Sequence, residues 1–202
     1  MKVTSILPLF SEMVSVYEIK VDNKKVLKFL KDFKWALRLS EGGDSKAYSS
    51  TDFILLEKYP FLKKKFEPCI QYHIQNILKQ QTNYRITTSW ATRIDPTGYG
   101  RIHYHSNAWL SGVYYPEGHE SFKIRFHTPK HSQWFDPPVE WNPYNSNTWT
   151  LPLKTNTVVI FPSLLNHELL PNESNKTRYS IAFNVLPKGH LGGTASDGEV
   201  TL

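Results

Sequence analysis

Beyond Thr82 the chain breaks into short apolar runs at regular spacing, and no other feature narrows the possible folds as much. The runs are Tyr84 to Ile94, Trp109 to Tyr115, Phe122 to His127, Trp149 to Leu153, Thr157 to Phe161, Leu169 to Leu170 and Arg178 to Leu186. Each is rich in β-branched and aromatic residues. Between them lie turn formers: Asp95-Pro96-Thr97-Gly98, Pro116-Glu117-Gly118, Pro137-Pro138, Asn142-Pro143 and Pro171-Asn172. Short strands punctuated in this way predict a β-sandwich or jelly roll.

The first 82 residues follow a different pattern. Val26, Leu27, Phe29, Leu30 and Phe33 recur at helical spacing, predicting a helix from Asp22 to about Trp35 with Asp22 or Asn23 as N-cap. Ser40 to Ser50, with Gly42-Gly43, reads as a loop. A second helix is expected from about Pro60 to Gln80, kinked or split at Pro68. The length suits a single domain. Residues 1–82 would be a helical support covering one outer sheet face, 83–187 the β core and 188–202 a glycine-rich tail.

Composition removes several function classes. A single cysteine, Cys69, excludes a disulfide framework and cysteine–zinc chemistry. No run approaches the ~18 apolar residues of a membrane helix, and the N-terminus is not a secretory signal, so a cytoplasmic protein is expected. The net charge of +6 invites a polyanion partner. However, residues 1–82 hold 14 Lys/Arg against 9 Asp/Glu, whereas the β half holds 10 against 9. The excess sits on the helices, at Lys24, Lys25, Lys28, Lys31 and Lys63 to Lys65. It reads as a solvated helix face, or as a phosphate-binding surface without a nucleic-acid motif to support it.

The β half carries three pieces of chemistry. In His103-Tyr104-His105, residues two apart on a strand face the same way, so both imidazoles can converge on one ion. His167 follows an apolar strand and a Phe161-Pro162 bend, as a ligand delivered at a barrel rim would. In the strand from Arg178, alternation puts Arg178, Ser180, Ala182 and Asn184 on one face. A buried arginine there needs an anionic partner, and a bidentate carboxylate with a hydrogen bond from Ser180 suits it. The other reading is an arginine at a strand end that reaches solvent or an acidic side chain. Among the remaining histidines, His127 and His131 read as surface or rim residues and His73 as core. Cys69 reads as a small buried hydrophobe.

Taken together, His-X-His, a distal His after Phe-Pro and an Arg-X-Ser eleven residues later resemble the Fe(II)/2-oxoglutarate-dependent oxygenases. The run His103 to Pro116, with its Leu-Ser-Gly-Val-Tyr-Tyr, resembles more narrowly a 2OG-Fe(II) oxygenase family of bacteria and phages. The resemblance covers roughly Thr88 to Leu186. It implies a double-stranded β-helix, a dioxygenase activity that hydroxylates an unidentified small molecule or peptide with release of succinate and CO2, and Fe(II), 2-oxoglutarate and O2 as cofactor and cosubstrates. Iron would be held by His103, His105 and His167, and the far carboxylate of 2-oxoglutarate by Arg178 and Ser180. Asn107, Tyr115, Trp90 and Asn184 are candidate pocket residues. The superfamily's usual Asp or Glu ligand is missing. His105 takes that place if His103 is the first ligand, and Asn107 takes it if His105 is. A cupin-like module without this catalysis is the alternative on the same fold.

Overall fold

The computed structural model describes residues 2–5, 9–38, 45–129, 135–192 and 198–202. The Gly42-Gly43 pair and His131 lie outside the described residues.

Strand β1 (Ser15–Glu18) leads into α1 (Asn23–Lys31), then β2 (Trp35–Leu37) and β3 (Ala47–Ser50). Two helices follow, α2 (Leu55–Lys58) and α3 (Pro60–Tyr72), the latter opening into a π-helical turn at His73–Ile77. The β half comprises β4 (Tyr84–Ile94), β5 (Gly100–His103), β6 (Leu110–Tyr115), β7 (Lys123–His127), β8 (Thr148–Pro152), β9 (Thr157–Pro162), β10 (His167–Leu169) and β11 (Arg178–Pro187). A terminal ribbon pairs β12 (His190–Leu191) with β13 (Val200–Thr201).

The expected jelly roll is present as two antiparallel sheets. The larger has the order β1-β9-β6-β11-β4-β3-β2 and the smaller β5-β10-β7-β8. Strand alternation builds the space between them. Val113, Tyr115, Ile124, Phe126, Phe161 and Ala182 join one buried cluster there. The opposite side of the large sheet presents Tyr114, Ile160, Ile181, Phe183 and Val185, and Val26, Leu30, Leu62, Phe66 and Ile70 of the helices cover it. The helices therefore shield one outer face, as expected.

Local chemistry explains the element ends. Asp22 caps α1 by accepting from the Lys25 amide at 3.2 Å, and Lys28 and Lys31 complement the C-terminal dipole. Three expectations need correction. The first helix ends at Lys31, and Trp35 starts a strand whose pairing with β3 outweighs the helical periodicity. The stretch read as a loop ends in β3, which extends the large sheet through β4. Pro68 does not split α3: both Pro68 and Lys64, whose carbonyl loses its helical partner, are exposed, so water can satisfy that carbonyl.

One close approach locks the helices to the sheet. The Phe183 ring lies directly over Gly112 on the neighbouring strand, filling the place a Cβ would take. The same ring stacks on Phe66 of α3 with centroids 5.4 Å apart. Gly112→Ala is expected to destabilise the fold by about 1–3 kcal/mol through overpacking. Phe183→Ala should cost about 3–5 kcal/mol through the cavity it leaves. Urea denaturation of both variants checks the pair, and a neutral Gly112→Ala would contradict the packing described.

Candidate metal and anion site

The site is assembled at one end of the two sheets. β5 and β10 pair antiparallel, with His103 opposite His167. His105 lies two residues beyond β5, and its amide donates to the Ser163 carbonyl at 2.8 Å, fastening it to the corner between β9 and β10. That corner is the Phe161-Pro162 bend picked out in the sequence. Its turn closes by a bond from the Leu165 amide to the Pro162 carbonyl at 3.0 Å.

Candidate ligand atoms of His103, His105 and His167 all lie within 4.8 Å of one another. Each ring is oriented through Nδ1. His103 Nδ1 lies 2.7 Å from the Arg101 carbonyl and His167 Nδ1 lies 3.0 Å from the Leu165 carbonyl. A carbonyl can only accept, so both Nδ1 atoms carry the proton and Nε2 is the unprotonated nitrogen of each ring. His105 Nδ1 sits 2.7 Å from Asn184 Oδ1 and 2.8 Å from Ser111 Oγ. Asn184 is itself held, accepting from Ser111 at 2.9 Å and donating to Thr88 at 3.0 Å.

Burial keeps two of these rings, His105 and His167, neutral. Burial pushes the His105 pKa down to about 4, against an opposing hydrogen bond to Asn184. Burial pushes His167 down to about 3, and His103 adds to the effect. Neutral imidazoles with Nδ1 protonated are the form that coordinates a divalent cation. Phe161 and Phe126 pack around His167, with ring centroids 4.7 and 6.2 Å away.

Deeper between the sheets lies Arg178, 1% exposed. Its Nη2 donates to the Leu170 carbonyl at 3.3 Å and its guanidinium lies 5.7 Å from the Phe122 ring centroid. Nε and Nη1 are buried without a hydrogen-bond partner, as is the Tyr115 hydroxyl. Burial lowers the Arg178 pKa to about 10, still well above neutrality, so the side chain is a cation. Ser180 is buried two residues along the same strand. The neighbouring Glu168 points away, as alternation requires, and pairs with Arg125 and His127 at 3.3 and 3.1 Å.

Residues 88–184 match the family model described as "Putative 2OG-Fe(II) oxygenase". The matched segment is just under half of the chain and takes in the three histidines, Arg178 and Ser180. The fold agrees with solved structures at low identity. The epimerase SnoN from nogalamycin biosynthesis superposes with a TM-score of 0.63 at 11% identity, over 92% of this chain and 83% of that one. HygX from Streptomyces hygroscopicus, with nickel, 2-oxoglutarate and hygromycin B bound, gives 0.60 at 10%, over 86% and 82%. A 2OG-Fe(II) oxygenase family oxidoreductase from Burkholderia pseudomallei gives 0.57 at 10%, over 81% and 77%. No curated protein sequence matches the chain.

Of the residues singled out in the sequence, the oxygenase fold brings together the three histidines, and it buries Arg178, Ser180 and Tyr115 between the sheets. Trp90 stands beside His105 at 5.5 Å between ring centroids, and Asn184 orients the His105 ring. Asn107 is exposed on the turn after His105, and the cluster of imidazoles is made by His103, His105 and His167. Sequence reasoning missed Ser111, Phe122 and a whole wall of the site. A cleft of about 650 Å³ lined by His103, His105 and Trp90 is completed by Arg38, Thr51 and Phe53. Those three flank β2 and β3, two strands that the sequence reading did not anticipate.

Asn184 generates a test. Asn184→Leu removes the acceptor that fixes the His105 tautomer, and affinity for Co(II) is expected to fall about 10–100-fold with the fold intact by circular dichroism. Unchanged Co(II) affinity would remove Asn184 from this role.

Proposed function

We propose that the chain is an Fe(II)- and 2-oxoglutarate-dependent dioxygenase that hydroxylates an organic substrate. The observation that carries this reading is the buried, incompletely partnered guanidinium of Arg178 in the same sandwich as three converging histidines. An isolated buried cation costs several kcal/mol, and a carboxylate bound to Nε and Nη1 would offset that cost with charge-assisted bonds. 2-Oxoglutarate fits both halves of the site, having one carboxylate for Arg178 and a 2-oxo acid end for a metal. A cupin-like module without this cosubstrate leaves Arg178 without a reason to be buried.

In this reading His103, His105 and His167 hold Fe(II) through Nε2. Arg178, with Ser180 and the Tyr115 hydroxyl, receives the distal carboxylate. Bound iron supplies oxidative chemistry in which O2 delivers one oxygen atom to 2-oxoglutarate, giving succinate and CO2, and the other to a substrate C–H bond. The protein's part is positioning. Arg178 sets the cosubstrate's orientation, and Asn184 and the two backbone carbonyls hold the rings. Phe126, Phe161 and Phe122 keep the interior apolar and shield it from water. Among the described residues no helix is long and apolar enough to cross a membrane.

Anaerobic addition of 2-oxoglutarate to the Fe(II) protein should produce a visible charge-transfer band. Arg178→Met should weaken 2-oxoglutarate binding by about a hundredfold, leave Fe(II) affinity within a few-fold, and leave the metal-free protein as stable or more so, because an unpaired charge is removed. Absence of the band together with absence of succinate would overturn the reading. An Arg178→Met variant that binds 2-oxoglutarate normally would overturn the role of Arg178.

A further inference from the structure

We propose that the outer face of α1 and α3 docks single-stranded nucleic acid, with its lysines along the phosphates and with Phe61 and Tyr72 stacked on bases. The positive excess of the first 82 residues, 14 Lys/Arg against 9 Asp/Glu, is gathered there. On α1, Lys24, Lys28 and Lys31 are spaced by four and three residues, which puts them on one helix face, and all three are exposed. On α3 the same spacing aligns Phe61, Lys64, Lys65, Pro68 and Tyr72 in one exposed stripe. Lys25 joins the two helices, its Nζ lying 6.0 Å from the centroid of the Phe61 ring. The stripes are therefore neighbours on one surface. The opposite sides of these helices, Val26 and Leu30 of α1 and Leu62 and Phe66 of α3, pack onto the large sheet. The lysine face and the histidine site thus lie on opposite sides of that sheet.

Among the described residues, Lys24, Lys28, Lys31, Lys64 and Lys65 have no ion-pair partner, whereas Lys58 and Lys63 are held by Asp52 and Glu57 at 2.7 Å. The nearest other acids sit at the margins: Asp22 before α1, Asp32 after it, and the half-buried Glu67. Like charges three and four residues apart repel one another, and a polyanion relieves that repulsion. Lysines act as point charges, suited to a phosphate backbone rather than to bidentate reading of base edges. The aromatic residues decide which polyanion fits. Phe61 and Tyr72 are 43% and 54% exposed, and Tyr72 is held edge-on to Tyr17 at 6.1 Å between centroids. They stand at the two ends of the α3 stripe, about 16 Å apart along the axis, with Lys64 and Lys65 between them. Cations interleaved with aromatic faces suit a single strand, whose unpaired bases are free to stack. An anionic bilayer asks for apolar side chains gathered in one patch that can enter it, and here the lysines divide them.

The test is fluorescence anisotropy of a fluorescein-labelled oligodeoxythymidylate with the full chain, at salt concentrations between about 50 and 200 mM. Saturable binding is expected, with a slope of log K against log[salt] of about −3 to −4 for roughly five phosphate contacts. Lys28→Gln combined with Lys64→Gln should weaken binding several-fold and bring the slope to about −2. Phe61→Ala should weaken the oligonucleotide about fivefold or more, and leave heparin, a polyanion without bases, within about twofold. Lys154→Gln, in the exposed connection between β8 and β9, should change neither ligand. The inference is overturned if the oligonucleotide does not bind, or if the lysine pair leaves affinity and slope unchanged. It is equally overturned if Phe61→Ala affects both ligands alike or neither, which would leave a general polyanion surface. Uptake of the protein by phosphatidylserine vesicles without binding of the oligonucleotide would assign the face to a membrane instead. None of these readouts needs metal or 2-oxoglutarate, so their failure leaves the dioxygenase reading untouched.

Discussion

A buried positive charge without a protein anion to answer it is the constraint on which the rest of the site depends. Arg178 starts β11, which runs between β4 and β6 in the large sheet, and alternation along that strand sends its side chain inward. The fold offers it one carbonyl and the face of Phe122, and leaves two nitrogens for something else. Folding must carry this desolvation cost, which the closely packed helix-covered face of the sheet is placed to absorb. The Phe66–Phe183 stack over Gly112 lies on that face, opposite the site. The tightest packing lies on one side of the sheet and the candidate site on the other.

The histidines show how a site can be prepared without charged supports. Two backbone carbonyls and one amide side chain fix the three rings, and none of them adds a negative charge. Burial keeps His105 and His167 unprotonated at neutral pH, so the lone pairs are available without a carboxylate to draw protons away. A metal held this way keeps more positive charge than one held with an Asp or Glu ligand. That difference bears on what binds beside it, and it joins the chemistry of the metal site to that of the cleft.

Much of this was legible in the sequence, for identifiable reasons. Strand runs such as Tyr84 to Ile94 were readable because their composition and flanking turns agree, and the inward face of β11 because its period is two. The histidine cluster was legible as a pattern of spacings. The choice between His103 and Asn107 was not, because it depends on where the chain turns after β5. The second-sphere pair Ser111 and Asn184 comes from the register of β6 against β11, which a single strand's pattern does not encode. The Arg38 wall was hidden because β2 and β3 are three and four residues long and their sheet membership comes from β2 pairing with β3 and β3 with β4, not from local propensity.

A crystal structure of the protein grown anaerobically with Fe(II) and 2-oxoglutarate tests the central claim most directly. The account predicts iron bonded to Nε2 of His103, His105 and His167 at about 2.0–2.2 Å, with the distal carboxylate of 2-oxoglutarate on Nε and Nη1 of Arg178. Iron bound without His103, or a carboxylate lying elsewhere while Arg178 stays unpaired, would contradict it.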